Sequence, residues 1–196
     1  MKKRWIAGAL AGFLAVNVLT VSAQDLSNVE PAGNTEVTAN VSGSGDVTYL
    51  VSIPERVNFG TLTQPENNTQ AHPAVRSFNV EAVQITGLDA ATQRVVVLLK
   101  DGSNAGGFQL TGQSASNSGK VLNYTVCNET GTDITGGRPY DNGYLLAAFS
   151  AGGQNVAGQL KLEQNQLYGE NLEQWAGNYK GTINFFTRVA SLADIN

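Results

Sequence analysis

Apolar and polar residues alternate with a period of two along most of this chain, the spacing of strands with one buried face. "EVTANVS" (36–42) puts Val37, Ala39 and Val41 on one side. "VTYLVSI" (47–53) does the same with Val47, Tyr49, Val51 and Ile53 before Pro54 ends the pairing. In "RSFNVEAVQI" the apolar set runs Phe78, Val80, Ala82 and then slips phase to Val83 and Ile85. A one-residue slip inside a strand predicts a β-bulge. "RVVVLLK" (94–100) is apolar on both sides and predicts a central strand covered on two faces.

"VLNYTVC" turns Leu122, Tyr124 and Val126 inward and Cys127 to the opposite face, while "NVAGQLKLE" turns Val156, Gly158, Leu160 and Leu162 inward. "YLLAAFS" (144–150) fits a strand or a short helix, and the Asn142-Gly143 turn before it favours the strand. Only 163–175 has a weak helical pattern, around Tyr168 to Trp175. "AGNYKGTINFF" (176–186) reads as one strand, with Tyr179, Gly181, Ile183 and Phe185 inward and Phe186 among polar neighbours on the wet side.

Eight or nine short strands separated by Gly, Asn, Ser and Asp turns predict an all-β antiparallel sandwich. The 22 glycines serve those turns. The first residues add a different signal. Lys2, Lys3 and Arg4 precede an uncharged apolar run from Trp5 to Val21, and Val21-Ser22-Ala23 supplies small residues before Gln24. This pattern predicts a secretory signal peptide over 1–23, cut near Ala23-Gln24. "QDLSNVEPAGNT" (24–35) then reads as a flexible mature N-terminus, leaving 36–196 as a single sandwich domain. No second long apolar segment follows, so no transmembrane segment is expected in the mature chain.

Losing the three basic residues moves the net charge from −4 to −7. An acidic chain with scattered Lys and Arg gives no footprint for nucleic acid. Cys127 is the lone cysteine and closes no intrachain disulfide, so it reads as a small buried hydrophobe and the fold must hold by burial. Few cysteines in an exported chain are associated with Gram-positive bacterial sources.

Candidate chemistry is sparse. His72, the lone histidine, precedes Pro73 in a polar loop, away from any packed nucleophile pattern. One His and one Cys do not make a zinc site, and no phosphate-binding glycine loop precedes a helix. Asp46, Glu55, Glu81, Asp101, Asp133 and Asp141 sit at strand ends and turns, and "DGSNAGG" (101–107) reads as a hairpin turn. The expectation is a protein without enzymatic activity, cofactor or metal.

Aromatics and one apolar stripe are the better candidates for an interaction surface. Trp175, Tyr179 and Phe186 fall close together in sequence, and Tyr140 and Tyr144 flank the loop "YDNGY". Such rings stack on sugars or anchor protein contacts. Val37, Ala39 and Val41 form a narrow stripe suited to filling a groove. The candidate interaction residues are therefore Val37, Ala39, Val41, Tyr140, Tyr144, Trp175 and Phe186.

Two stretches resemble segments of bacterial surface sandwiches, the WxL-type wall proteins and pilin-like subunits. "WAGNYKGTINFF" matches a late closing-strand motif through Gly177, Tyr179, Gly181, Ile183 and Phe185. "VSIPERVNFGTL" (51–62) is similar to an early segment of such modules through Ile53, Pro54, Phe59, Gly60 and Leu62. The resemblance implies an Ig-like or pilin-like sandwich at the cell surface, structural or adhesive; the strand "TEVTANVS", followed by the hinge "GSGD" (43–46), is expected by default to close on its own sheet, with strand exchange into a chain of subunits as the other outcome. Expected partners are copies of itself, other surface proteins or a surface glycan; the alternative is a secreted carbohydrate-binding module. The Trp-x-Leu pair of WxL domains and a Leu-Pro-x-Thr-Gly sorting signal are both missing, so neither peptidoglycan binding nor sortase attachment is implied.

Overall fold

The structure, a computed structural model, describes residues 46–102, 107–135 and 143–195. The chain divides into two compact units, Met1–Ala39 and Asn40–Asn196, and every described residue lies in the second. Ten strands follow in order: β1 (Thr48–Ser52), β2 (Pro73–Thr86), β3 (Gln93–Asp101), β4 (Gln109–Gly112), β5 (Val121–Asn123), β6 (Thr125–Asn128), β7 (Tyr144–Phe149), β8 (Gln154–Glu163), β9 (Tyr179–Lys180) and β10 (Ile183–Ser191). A 3-10 turn (Gln164–Leu167) and two one-turn helices, α1 (Leu172–Trp175) and α2 (Leu192–Ile195), complete the described residues.

All pairings are antiparallel. One layer is a four-stranded sheet in the order β1-β2-β8-β6, and facing it is a three-stranded sheet in the order β10-β3-β7. A small third sheet, β5-β4-β9, closes one end. The core lies between the layers. Phe78, Val80, Ala82, Val126, Leu160 and Leu162 from the first sheet meet Val95, Val97, Leu99, Ala147 and Phe149 from the second. This is the sandwich that the period-two alternation dictates, since each sheet has one apolar face to bury.

β3 is central and buried on both faces. Val96 and Leu98 point away from the main core into a second, smaller cluster with Ala190, Leu145 and Ile195. The bulge in β2 is real: Val51 stands opposite Ala82 but Leu50 opposite Gln84, leaving Val83 without a partner. Val83 is 41% exposed, so the bulge residue itself turns outward and only Ile85 resumes the inward set.

Three details differ from the sequence expectations, each for a tertiary reason. Ile53 lies beyond the end of β1 and is exposed. "VLNYTVC" divides at Tyr124 into β5 and β6, because the Tyr124 amide donates to Phe108 O (3.0 Å) instead of continuing one ladder. "AGNYKGTINFF" likewise divides into β9, paired with β4, and β10, paired with β3. Gly181 sits at that crossing, where a side chain would collide with Gln109 O. Cys127 faces away from Tyr124 and Val126 and is buried, as expected, with its backbone bridged to Asp133 across the loop after β6.

Between β1 and β2, residues 53–72 form a strap over the sandwich edge. Arg76 fastens it, its Nε donating to Asn58 O (3.0 Å) and its Nη2 to Phe59 O (2.6 Å). Gln64 Nε2 donates to Leu167 O (2.7 Å) and Glu170 O (2.9 Å), and the Thr63 amide donates to Gln164 Oε1 (2.8 Å). The strap thereby seats Phe59 in the core, 5.9 Å from Tyr124.

Candidate functional site

The first and last described strands meet at one flank of the sandwich. Tyr49 of β1 crosses the gap between the layers and its hydroxyl donates to Thr187 O of β10 (3.2 Å). Just behind it, Phe78 of β2 meets Phe185 of β10 edge-on, with ring centroids 6.2 Å apart. β1 pairs with β2 and β10 with β3, and no described strand pairs with the other edge of either.

The apolar inward side chains along this flank are half-buried: Tyr49 and Val51 on β1, and Ile183, Phe185 and Val189 on β10. Their counterparts one strand further in, Val80, Ala82, Val95, Val97 and Leu99, are fully buried. The flank is therefore a partly covered apolar strip between two strand edges that no described strand pairs with. Such edges present rows of backbone donors and acceptors to any extended segment that reaches them.

Phe186 stands on the outer face of β10, opposite Leu98, which in turn stands opposite Leu145. It lies beside Leu98 of the small outer cluster and is 48% exposed. An aromatic on this wet face is thus the rim of a second apolar patch.

The other aromatic candidates are placed differently. Tyr144 is half-buried and packs on the main core, 6.1 Å from Phe108. Trp175 is held from three directions: Nε1 donates to Glu170 Oε2 (2.8 Å), Lys120 Nζ lies 4.7 Å from the ring centroid, and Trp175 O accepts from Tyr179 (2.9 Å). Trp175 and Tyr179 both pack against the main core, on the opposite side of the sheet from Phe186. The structure does not bring these rings onto one platform. Val37, Ala39, Val41 and Tyr140 lie outside the described residues.

Several residues that the sequence did not single out hold the architecture. Asn117 is completely buried; its Oδ1 accepts from the Ser114 amide (2.8 Å) and its Nδ2 donates to Asn178 O (3.2 Å), locking the β4–β5 loop to the start of β9. Gln166 completes the β5 edge, accepting from the Asn123 amide (2.8 Å) and donating to Asn123 O (2.8 Å). Beside it runs a trough of about 460 Å³ lined by Thr125, Cys127, Asp133, Lys161 and Glu163 among others. Lys161 pairs with Glu163 at 2.9 Å across largely exposed side chains, a contact that raises the lysine's pKa and adds little stability. The Asn117–Asn178 and Gln166–Asn123 contacts could not be read from pattern, because each joins segments far apart in sequence.

Tyr124 is the most perturbed acid. Burial pushes its phenol well above the ordinary value, and the Asp101 charge adds to the shift. It sits in the core between Phe59 and Phe108, a packing position. Among the described residues, no three His, Cys, Asp or Glu side chains converge as a metal site would need. No helix among them is long and apolar enough to cross a membrane, which says nothing about membrane-crossing strands.

No protein-family model matches the chain, and no curated protein matches it. Among solved structures, one similar chain comes from a chaperone–tip adhesin complex vital for activation of CFA/I fimbriae biogenesis. The two share 14% identity with a TM-score of 0.43, over 74% of this chain. This chain spans 42% of the length of that one.

Proposed function

We propose that this is an exported cell-surface protein with a structural or adhesive role and no enzymatic activity, a pilin-like subunit that engages protein partners through the β1/β10 flank. The observation that carries this reading is that β1 and β10 lie on one side of the sandwich, with Tyr49 and Thr187 between them, each with an edge that no described strand covers. A sheet edge offers backbone hydrogen bonds to another chain without demanding a particular side-chain sequence, so it suits repeated contacts between surface proteins. The signal-peptide pattern of 1–23 supports export. The alternative, a carbohydrate-binding module, is weakened because Trp175, Tyr144 and Phe186 share no surface.

Sedimentation of the mature chain over a range of concentrations tests the proposal, alongside binding assays on surface polysaccharides. Concentration-dependent association without polysaccharide binding is expected. A strictly monomeric protein that binds polysaccharide would overturn it in favour of the sugar-binding alternative.

A further inference from the structure

The segment "VTYLVSI" (47–53), which holds β1, is chemically symmetric about Leu50. Outward from that residue, Tyr49 is matched by Val51, Thr48 by Ser52 and Val47 by Ile53. Each match joins apolar to apolar or hydroxyl to hydroxyl, so the segment complements a second copy of itself running the opposite way. Leu50 and Ile53 are large hydrophobic side chains that the fold leaves exposed. So is Val83, which follows the bulge beside Gln84, the β2 partner of Leu50. An exposed apolar patch at a strand edge marks an interaction surface. Natural edges are blunted by lysines, other charges or prolines, and 47–53 carries none of these; Pro54 ends it. No described strand pairs with the outer edge of β1.

We propose that β1 is a self-recognition edge, which pairs antiparallel with β1 of a second copy across a twofold axis at Leu50 and joins the two four-stranded sheets into one. This rests on the reading of the flank as a strand-accepting surface and names its partner as the chain itself. The register follows from the chemistry. Centred on Leu50, the five residues of β1 set Leu50 against Leu50, each Tyr49 against a Val51 and each Thr48 against a Ser52. Aromatic–β-branched and hydroxyl pairs of this kind stabilise neighbouring strands. Each exposed Ile53 then reaches Val47 of the second copy and gains apolar cover. A slip of one residue would set Val51 against Thr48 and Ile53 against Asp46, bringing mismatched faces together. The twofold relation closes the contact at a dimer, and so short an edge makes that dimer weak and reversible.

Sedimentation and single-cysteine crosslinking of the full mature chain test this, with Cys127→Ser in the crosslinking variants so that the introduced thiol is alone. A disulfide needs Cα atoms within about 7 Å. Leu50→Cys faces itself across the axis and should link two chains on mild oxidation. Ile53→Cys stands roughly 20 Å from its own copy in this register and should not. Leu50→Lys sets like charges against each other and should weaken association by about tenfold or more. Its urea midpoint should hardly move, because Leu50 is exposed in a single copy. Val75→Lys, at an exposed position of β2 that β1 does not cover, should leave association unchanged. Association that survives Leu50→Lys, or Ile53→Cys linking as readily as Leu50→Cys, would overturn the β1 pairing while the assembly reading stands on another surface. A chain that stays monomeric and binds no polysaccharide would overturn self-pairing without reviving the sugar-binding alternative. Leu50-linked dimers in a chain that binds polysaccharide would do the reverse, upholding the pairing against the proposed function.

Discussion

Gly158 lies opposite Phe78 in the β2–β8 ladder, and the phenyl ring rests on the space where a side chain would stand. Only a hydrogen fits there, so glycine is retained in mid-strand despite its entropic cost. Gly158→Ala should destabilise the fold by about 1–3 kcal/mol through overpacking. In urea unfolding the loss should shrink when Phe78→Leu is added, a coupling that separate strain at each site would not produce. Cys127 offers a second residue-scale test. Its thiol is buried, with the Thr125 hydroxyl at 3.9 Å. Cys127→Ser should cost about 1–2 kcal/mol by burying a hydroxyl with poor partners, and leave association on non-reducing gels unchanged.

At the scale of elements, irregular segments are fastened by side chains that reach their backbone. The 53–72 strap depends on Arg76, which serves the carbonyls of Asn58, Phe59 and Val75. Removing the guanidinium leaves these acceptors short of donors and loosens the anchor of Phe59. Arg76→Met should cost about 1–3 kcal/mol. Amide exchange should accelerate at Asn58–Gly60 ahead of the strands; uniform acceleration would mean that the strap and sandwich open as one unit.

At the scale of the whole molecule, Tyr124 in the main core ties stability to alkaline pH. The phenol is 6% exposed, and its folded pKa lies above the ordinary 10.0, first because of burial and then because of Asp101. An unfolded chain gives up this proton near pH 10, whereas the folded one holds it. The neutral phenol thus favours the folded state fully below about pH 10, and that contribution falls away as the pH rises above it. Chemical unfolding followed between pH 8 and 12 should show stability declining above pH 10. Tyr124→Phe should flatten the decline. Export is a second whole-molecule matter: mass spectrometry of secreted material should find Gln24 as the first residue, whereas an intact Met1 would contradict the signal-peptide reading.

The sequence by itself determined the local elements. Period-two alternation placed the inward residues of β2, β3 and β8, the phase slip after Ala82 marked the bulge, and the doubly apolar run Val95–Leu99 marked the central strand. These are properties of neighbours along the chain, where the pleat converts spacing directly into facing. Only the tertiary structure decided where strands end and which residues share a surface. Tyr179 and Ile183 keep one phase, yet they belong to different sheets because Gly181 passes against the backbone of Gln109. Trp175 and Phe186 are near in sequence but on opposite sides of a sheet, so the aromatic cluster did not form. The β1/β10 flank was equally illegible: Tyr49 and Thr187 are 138 residues apart, and their contact depends on how two layers stack. Alternation says which side of a strand is apolar, but it carries no information about which distant strand will cover it.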